Sequence, residues 1–175
     1  MSDALLNQVM VVDAGTVLTI GYEDCIRYHG LTSIGGVALG FRLVQRAIAD
    51  LSPDAPPDRA GIAVRTAFPG PGVRDAVEMI TRAVSRGAYV VDLDAGPASA
   101  PPAPKGRLWF EVEIAGHRRA YVAPDGAMSA EFVSLGRKSQ SANLNGTDAA
   151  RWTALKEELA ATIMGLKPDD VLLPA

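Results

Sequence analysis

Reactive side chains are scarce in this chain: one cysteine and two histidines in 175 residues. Cys25 and His29 stand four apart, a spacing that lets two side chains meet on one helical turn, and a Cys–His pair is the arrangement of an activated thiol. Both fall at the C-terminal end of their predicted helix, where the negative dipole end raises a thiol pKa. Cys25 therefore reads as a buried structural cysteine. His29, followed by Gly30 and then by a glycine-rich helix start, reads as a pocket residue, and Ser33 adds a small hydroxyl beside it. A second candidate loop, F-P-G-P-G-V at 68–73, ends a strand and opens a helix, so its amides point at an anion, and Arg65 and Arg74 flank it. Asp75, in the first turn of that helix, is placed to orient His29 or to accept from a ligand. The expected pocket lies where loop 29–36 meets loop 69–75, with His29, Ser33, Arg65, Arg74 and Asp75 around it. The competing account is packing alone, with Asp75 capping its own helix and 68–73 a proline-stiffened turn. His117 falls in a hairpin turn and reads as solvated. Arg137 and Lys138, followed by Ser139, Ser141 and Asn143, form a polar stretch read as a surface loop, with a lid or a phosphate contact as the alternative.

The elements that must hold these residues follow from hydrophobic period. Residues 35–51 read as a helix, with Val37, Phe41, Val44 and Ile48 at helical spacing and Arg42, Gln45 and Arg46 on another face. Gly36 and Gly40, four apart, imply close approach of a neighbouring backbone. A strand over 61–67 precedes the second loop. A helix over 73–86 follows, with Gly87 as its C-cap, and then a strand over 88–93. The segment 95–106, with four prolines, reads as a stiff exposed loop without packing residues. Alternation at 108–114 gives a half-buried strand, 119–123 pairs back across 115–117, and 128–135 reads as a third strand of a meander. A last helix spans 148–165, with Trp152, Leu155, Leu159 and Ile163 buried and Thr147 or Asp148 as cap. These elements predict an α+β fold, a mixed or antiparallel sheet with helices packed on one face. The domain is single over 1–175, with 1–21 as an N-terminal extension.

A net charge of −3 and a pI near 5.4, with basic residues scattered, argue against a nucleic-acid partner. No apolar run reaches the ~18 residues of a membrane span and no basic leader opens the chain, so a cytoplasmic protein is expected. One cysteine excludes an internal disulfide.

The stretch C-I-R-Y-H-G-L-T-S-I-G-G-V-A-L-G-F-R at 25–42 resembles the opening motif of the FmdE-like family of formylmethanofuran dehydrogenase subunits, in which a Cys-bearing helix leads into His-Gly-His-x-Cys-Pro-Gly and later an aromatic–Arg pair. His29-Gly30, Gly36, Gly40 and Phe41-Arg42 are kept. The resemblance implies a fold similar to the catalytic domain of glyceraldehyde-3-phosphate dehydrogenase, and a metal site, commonly zinc, built from His and Cys of that motif and of a Cys-Gly-Val-Asp-Ala segment. Here the second His and loop Cys fall among Leu31, Thr32, Ser33 and Ile34. The later cysteines fall at Pro71 or Gly72 and at Ala83, while Asp75-Ala76 is kept. His29, Asp75 and Cys25 are too few for zinc, which takes three or four ligands. No metal and no cofactor are expected, with His29 and Cys25 the first ligands to test. Three functions stay open: a metal-free relative that binds a small anionic molecule or a partner protein, an enzyme of one-carbon or pterin-linked metabolism with His29 and Asp75 as acid–base groups, and an assembly subunit with a vestigial site. The resemblance also implies a homodimer, which would cover an edge of the sheet.

Overall fold

The chain enters through a hairpin. β1 (Gln8–Asp13) and β2 (Thr16–Gly21) pair antiparallel along their whole length. Their turn, Ala14-Gly15, has positive φ at both residues (47° and 81°), as a two-residue hairpin requires. The computed structural model describes residues 7–175, so positions 1–6 of the expected N-terminal extension lie outside the described residues. The remainder of that stretch is no appendage, because Val9, Val11 and Ile20 are buried in the main core. The apolar run V-M-V-V at 9–12, ended by Asp13 and the Ala14-Gly15 turn, is the signal in the sequence that marks this hairpin.

From β2 the chain runs into α1 (Tyr22–His29), then α2 (Ile34–Leu51), a 3-10 turn (Arg59–Gly61) and β3 (Ile62–Thr66). α3 (Pro71–Thr81), β4 (Tyr89–Val91), β5 (Trp109–Ile114) and β6 (His117–Val122) follow. α4 (Ala130–Ser141), α5 (Gly146–Gly165), α6 (Pro168–Val171) and β7 (Leu173–Pro174) complete the fold. The main sheet has the order β4-β3-β5-β6-β7, with β3 and β4 parallel and the other pairs antiparallel. This is the expected α+β class with a mixed sheet. Ile62 and Val64 of β3, with Phe110, Val112 and Ile114 of β5, turn to one face and join the core with α2 and α3. α2 is buried on nearly every side, from Val37 to Ala47. Its neighbours are α1, α3 and α5 as well as the sheet.

Several boundaries depart from expectation for definable reasons. Residues 130–141 form α4, not a third strand. Ser129 caps it by accepting from the Phe132 amide at 3.1 Å, and Phe132, Val133 and Gly136 make its buried face. α3 stops at Thr81, five residues early. Arg82 takes the left-handed conformation (φ 58°), and the Glu78 carboxylate accepts from the amides of Val84 and Ser85, replacing further helical bonds. Gly87 (φ 71°) serves the turn into β4 instead of capping the helix. α5 is capped by Asn145, not by Thr147 or Asp148; the Asn145 side chain accepts from the Asp148 amide at 2.8 Å. Arg42 lies inside, 1% exposed, and donates to the Met164 carbonyl at 2.6 Å and to Gln45 at 2.7 Å, tying α2 to the end of α5. The segment 95–106 is also structural: Ala95 and Ala100 cover Trp109 on the outer sheet face, and Ala103 joins the main core.

Candidate functional site

Glycine decides how close the two helices that carry the candidate loops can come. A Cβ at Gly72 would lie 2.5 Å from the Ser33 carbonyl oxygen and 2.7 Å from the Val37 amide. A Cβ at Gly40 would lie 2.8 Å from the Val73 carbonyl oxygen. The backbones of α2 and α3 therefore touch through Gly36, Gly40 and Gly72, the close approach that the glycine spacing implied. This crossing brings the N-termini of both helices side by side. α2 starts at Ser33, whose side chain makes no capping bond, and α3 starts at Pro71 after Gly70. Pro at the first helical position has no amide to satisfy, and its fixed φ suits the helix.

Above this crossing opens a cavity of about 350 Å³. Its floor is Ser33 and Gly36 of α2 and the run from Phe68 to Gly72. Its far wall comes from α4 and α5, through Phe132, Ser139, Gln140, Trp152 and Lys156, with Met128 and the Pro104-Lys105 turn closing the side. Phe132 and Trp152 stack at a tilt, with ring centroids 4.6 Å apart. Lys156 Nζ sits 5.6 Å from the centroid of the Trp152 ring, and burial lowers its pKa. Lys105 and Lys156 are the ionisable groups of the lining, which contains no carboxylate. With the first-turn amides of two helices nearby, the electrostatics favour an anion, and the three aromatic rings favour a planar apolar body.

The five residues expected around one pocket separate into three places. Ser33 lines the cavity. His29, Asp75 and Arg74 form a cluster beside it that does not line it. His29 ends α1 because Gly30, at φ 88°, turns the chain away, while the Gly30 amide still bonds to the Ile26 carbonyl. Its Nδ1 lies 2.7 Å from Asp75 Oδ2, and Arg74 Nε donates to the other carboxylate oxygen at 2.9 Å. The His29 side chain is 6% exposed, and its Nε2 is buried with no hydrogen-bond partner. Tyr89 OH is likewise buried and unpartnered; burial raises its pKa, Arg74 lowers it and Asp75 raises it. The pair that Asp75 and His29 were expected to form is present, but neither residue lines the cavity. Arg65 is on the opposite face of the sheet. It extends outward from β3 and bonds Asp92 at 2.5 Å, beside Glu111 and Glu113. Strand alternation explains the separation, since Val64 and Thr66 point to the core and Arg65 between them cannot.

Cys25 does not meet His29, whose Nδ1 is held by Asp75. The thiol is fully buried, and burial, with Asp24 nearby, pushes its pKa up to about 12, the reverse of an activated nucleophile. Among the described residues no group of three His, Cys, Asp or Glu side chains converges, so the donor set does not fit a zinc ion. The cavity residues missed in sequence include Lys105, Phe132, Trp152 and Lys156. Reading 128–135 as a strand hid Phe132. The four-residue spacing of Trp152 and Lys156 on one face of α5 was the available signal for the far wall. No family model matches the chain, and no curated protein matches it.

Proposed function

We propose that the protein binds a small anionic molecule with a planar apolar body, held between the start of α2 and α3 and the facing pair α4–α5. The observation that carries this reading is the charge of the lining: two lysines, no carboxylate, and three aromatic rings around about 350 Å³. A cavity of this size suits a ligand of metabolite dimensions. Lys105 and Lys156 supply charge, the helix starts supply amides, and Phe68, Phe132 and Trp152 supply the apolar walls. Ser33, Ser139 and Gln140 offer hydrogen bonds that fix orientation. In this proposal the chain is a metal-free relative of the FmdE-like family, with a binding role and no chemistry of its own.

The geometry favours binding over the acid–base alternative. His29 Nε2, the atom that would move a proton, is sealed from solvent and does not line the cavity. The His29–Asp75 bond instead ties the end of α1 to α3 and so supports the crossing on which the cavity rests. Native mass spectrometry of the protein as purified tests the proposal. An organic anion bound at one per chain, absent from a Trp152→Ala and Lys156→Ala double variant, is the expected result. A wild-type protein that carries none, and takes up no aromatic carboxylate or aromatic phosphate at millimolar concentration, would overturn it.

A further inference from the structure

The ligand cavity stops at Met128, and a second space lies behind it. Met128 sits between β6 and α4 and is 8% exposed. Among the described residues it alone lines both the cavity of about 350 Å³ and an apolar chamber of about 60 Å³. The chamber wall is Leu39 of α2, Leu108, Ala123, Leu159 and Ile163 of α5, and Val171 of α6, all buried. Its polar side chains, Thr162 and Asp170, are exposed at the rim. The two spaces are consecutive along one pair of helices. α2 and α5 run side by side in the same direction. A Cβ at Gly35 would stand 2.9 Å from the Leu159 side chain and 3.1 Å from the Lys156 carbonyl oxygen, and further on Arg42 donates to the Met164 carbonyl. Gly36 and Lys156 line the cavity, and Leu39 and Leu159 line the chamber. That step along both helices puts the chamber about 4.5 Å beyond the cavity.

We infer that Met128 gates an aliphatic subsite of this cavity: the ligand is an aromatic anion that carries a short aliphatic substituent on the side away from its charge, and the substituent passes Met128 into the chamber. The inference rests on the ligand reading proposed above. Charge sets the orientation. Lys105, Lys156 and the starts of α2 and α3 lie at the cavity end, and Asp170 lies at the far rim, so an anion is drawn to the first and repelled by the second. The side chain at the partition suits a gate. Methionine is unbranched and flexible, so it closes an irregular gap and can turn aside without moving the backbone. A β-branched residue there would be stiff. Met128 also borders a third hollow, but Asp125 and Arg137 flank that one, and an aliphatic group would desolvate their charges. Volume sets the length of the substituent. An apolar void of about 150 Å³ holds a benzene ring, so the chamber's 60 Å³ admits a short alkyl group and excludes a second ring. Each methylene buried there raises affinity about fourfold, and methylenes beyond the rim add nothing.

Calorimetric titration of the full chain with benzenesulfonate and its 4-ethyl and 4-hexyl derivatives tests the subsite. The wild type should bind the ethyl compound about 15-fold more tightly than benzenesulfonate, and the hexyl compound should fall well short of a further fourfold per carbon. Ala127→Leu fills the chamber from a half-buried position on its wall and should reduce the ethyl advantage to within about twofold. Isotope-filtered NMR of the wild type gives a second test that does not depend on that variant's folding. The ethyl protons of the bound ligand should show contacts to the methyl groups of Leu39, Leu159 and Ile163. Benzenesulfonate that binds with no advantage for the ethyl compound would overturn the subsite and leave the ligand reading intact. So would an advantage retained in folded Ala127→Leu, or an ethyl group without contact to those methyls. A protein that binds none of the three sulfonates would overturn the ligand reading and this inference with it.

Discussion

Gly40→Ala tests the helix crossing that supports the cavity. Gly40 lies in the interior of α2, where replacing glycine by alanine ordinarily stabilises a helix by about 1 kcal/mol. Here the added methyl would stand 2.8 Å from the Val73 carbonyl oxygen, 2.9 Å from Val73 Cα and 3.0 Å from Ala76 Cβ. Two of these atoms are backbone, so no side chain can swing aside, and α3 must move several tenths of an ångström away. Overpacking of this kind costs about 1–3 kcal/mol, and a backbone obstacle places it at or above the upper end. Taking about 3 for the clash and returning about 1 for propensity leaves a net loss of about 2 kcal/mol. For a chain of this size that is a fall in Tm of about 4–8 °C. Gly165→Ala is the control: it ends α5 with nothing within 4 Å of the added Cβ, and it should be neutral or slightly stabilising. Urea denaturation of both variants, with equal m-values, provides the comparison. A Gly40→Ala protein as stable as Gly165→Ala would refute the close crossing and the site built on it.

Two further outcomes follow from the buried polar groups. Cys25 has a thiol pKa of about 12 in the folded chain against 9.0 for a free thiol. The neutral thiol's contribution is thus complete below pH 9 and is lost as pH rises toward 12. Between pH 8 and 10 the wild type should lose about 1.4 kcal/mol more stability than Cys25→Ala, measured by denaturation at each pH, and parallel curves would contradict this. His29→Ala removes a part-buried bond to a carboxylate and should cost about 2 kcal/mol, while leaving binding of an aromatic anion within about twofold. Loss of binding with stability intact would return His29 to the pocket.

How much could be read from residues alone differs by element. Periodicity identified α2, β3, β5 and α5, because each carries its full apolar pattern in one unbroken run. It failed at 128–135, where Phe132, Val133 and Leu135 fit alternation about as well as a helical face, and only the cap at Ser129 distinguishes them. It failed again at Arg82, since a non-glycine left-handed stop depends on the Glu78 carboxylate of the helix's last turn reaching forward to two amides, which apolar spacing does not show. For the site, Gly36 and Gly40 announced the helix crossing, and the His29–Asp75 contact was legible because two loops flanked two helix starts. Arg65 was misplaced because closeness along the chain says nothing of which sheet face a strand residue takes. The cavity's far wall was out of reach for a similar reason: Trp152 and Lys156 come to Phe68 only through folding across nearly half the chain.

The central claim is that the cavity selects an anion through its two lysines. Its most direct test is titration with 8-anilinonaphthalene-1-sulfonate, an aromatic sulfonate, followed by its own fluorescence and by calorimetry. The wild type should bind one molecule per chain. Each of Lys105→Gln and Lys156→Gln removes a near-surface charge contact worth about 1 kcal/mol, about a fivefold loss of affinity, and the double variant should lose about 25-fold. Trp152→Ala should abolish saturable binding. A double variant that binds as tightly as the wild type, or a stoichiometry unaffected by Trp152→Ala, would contradict the account.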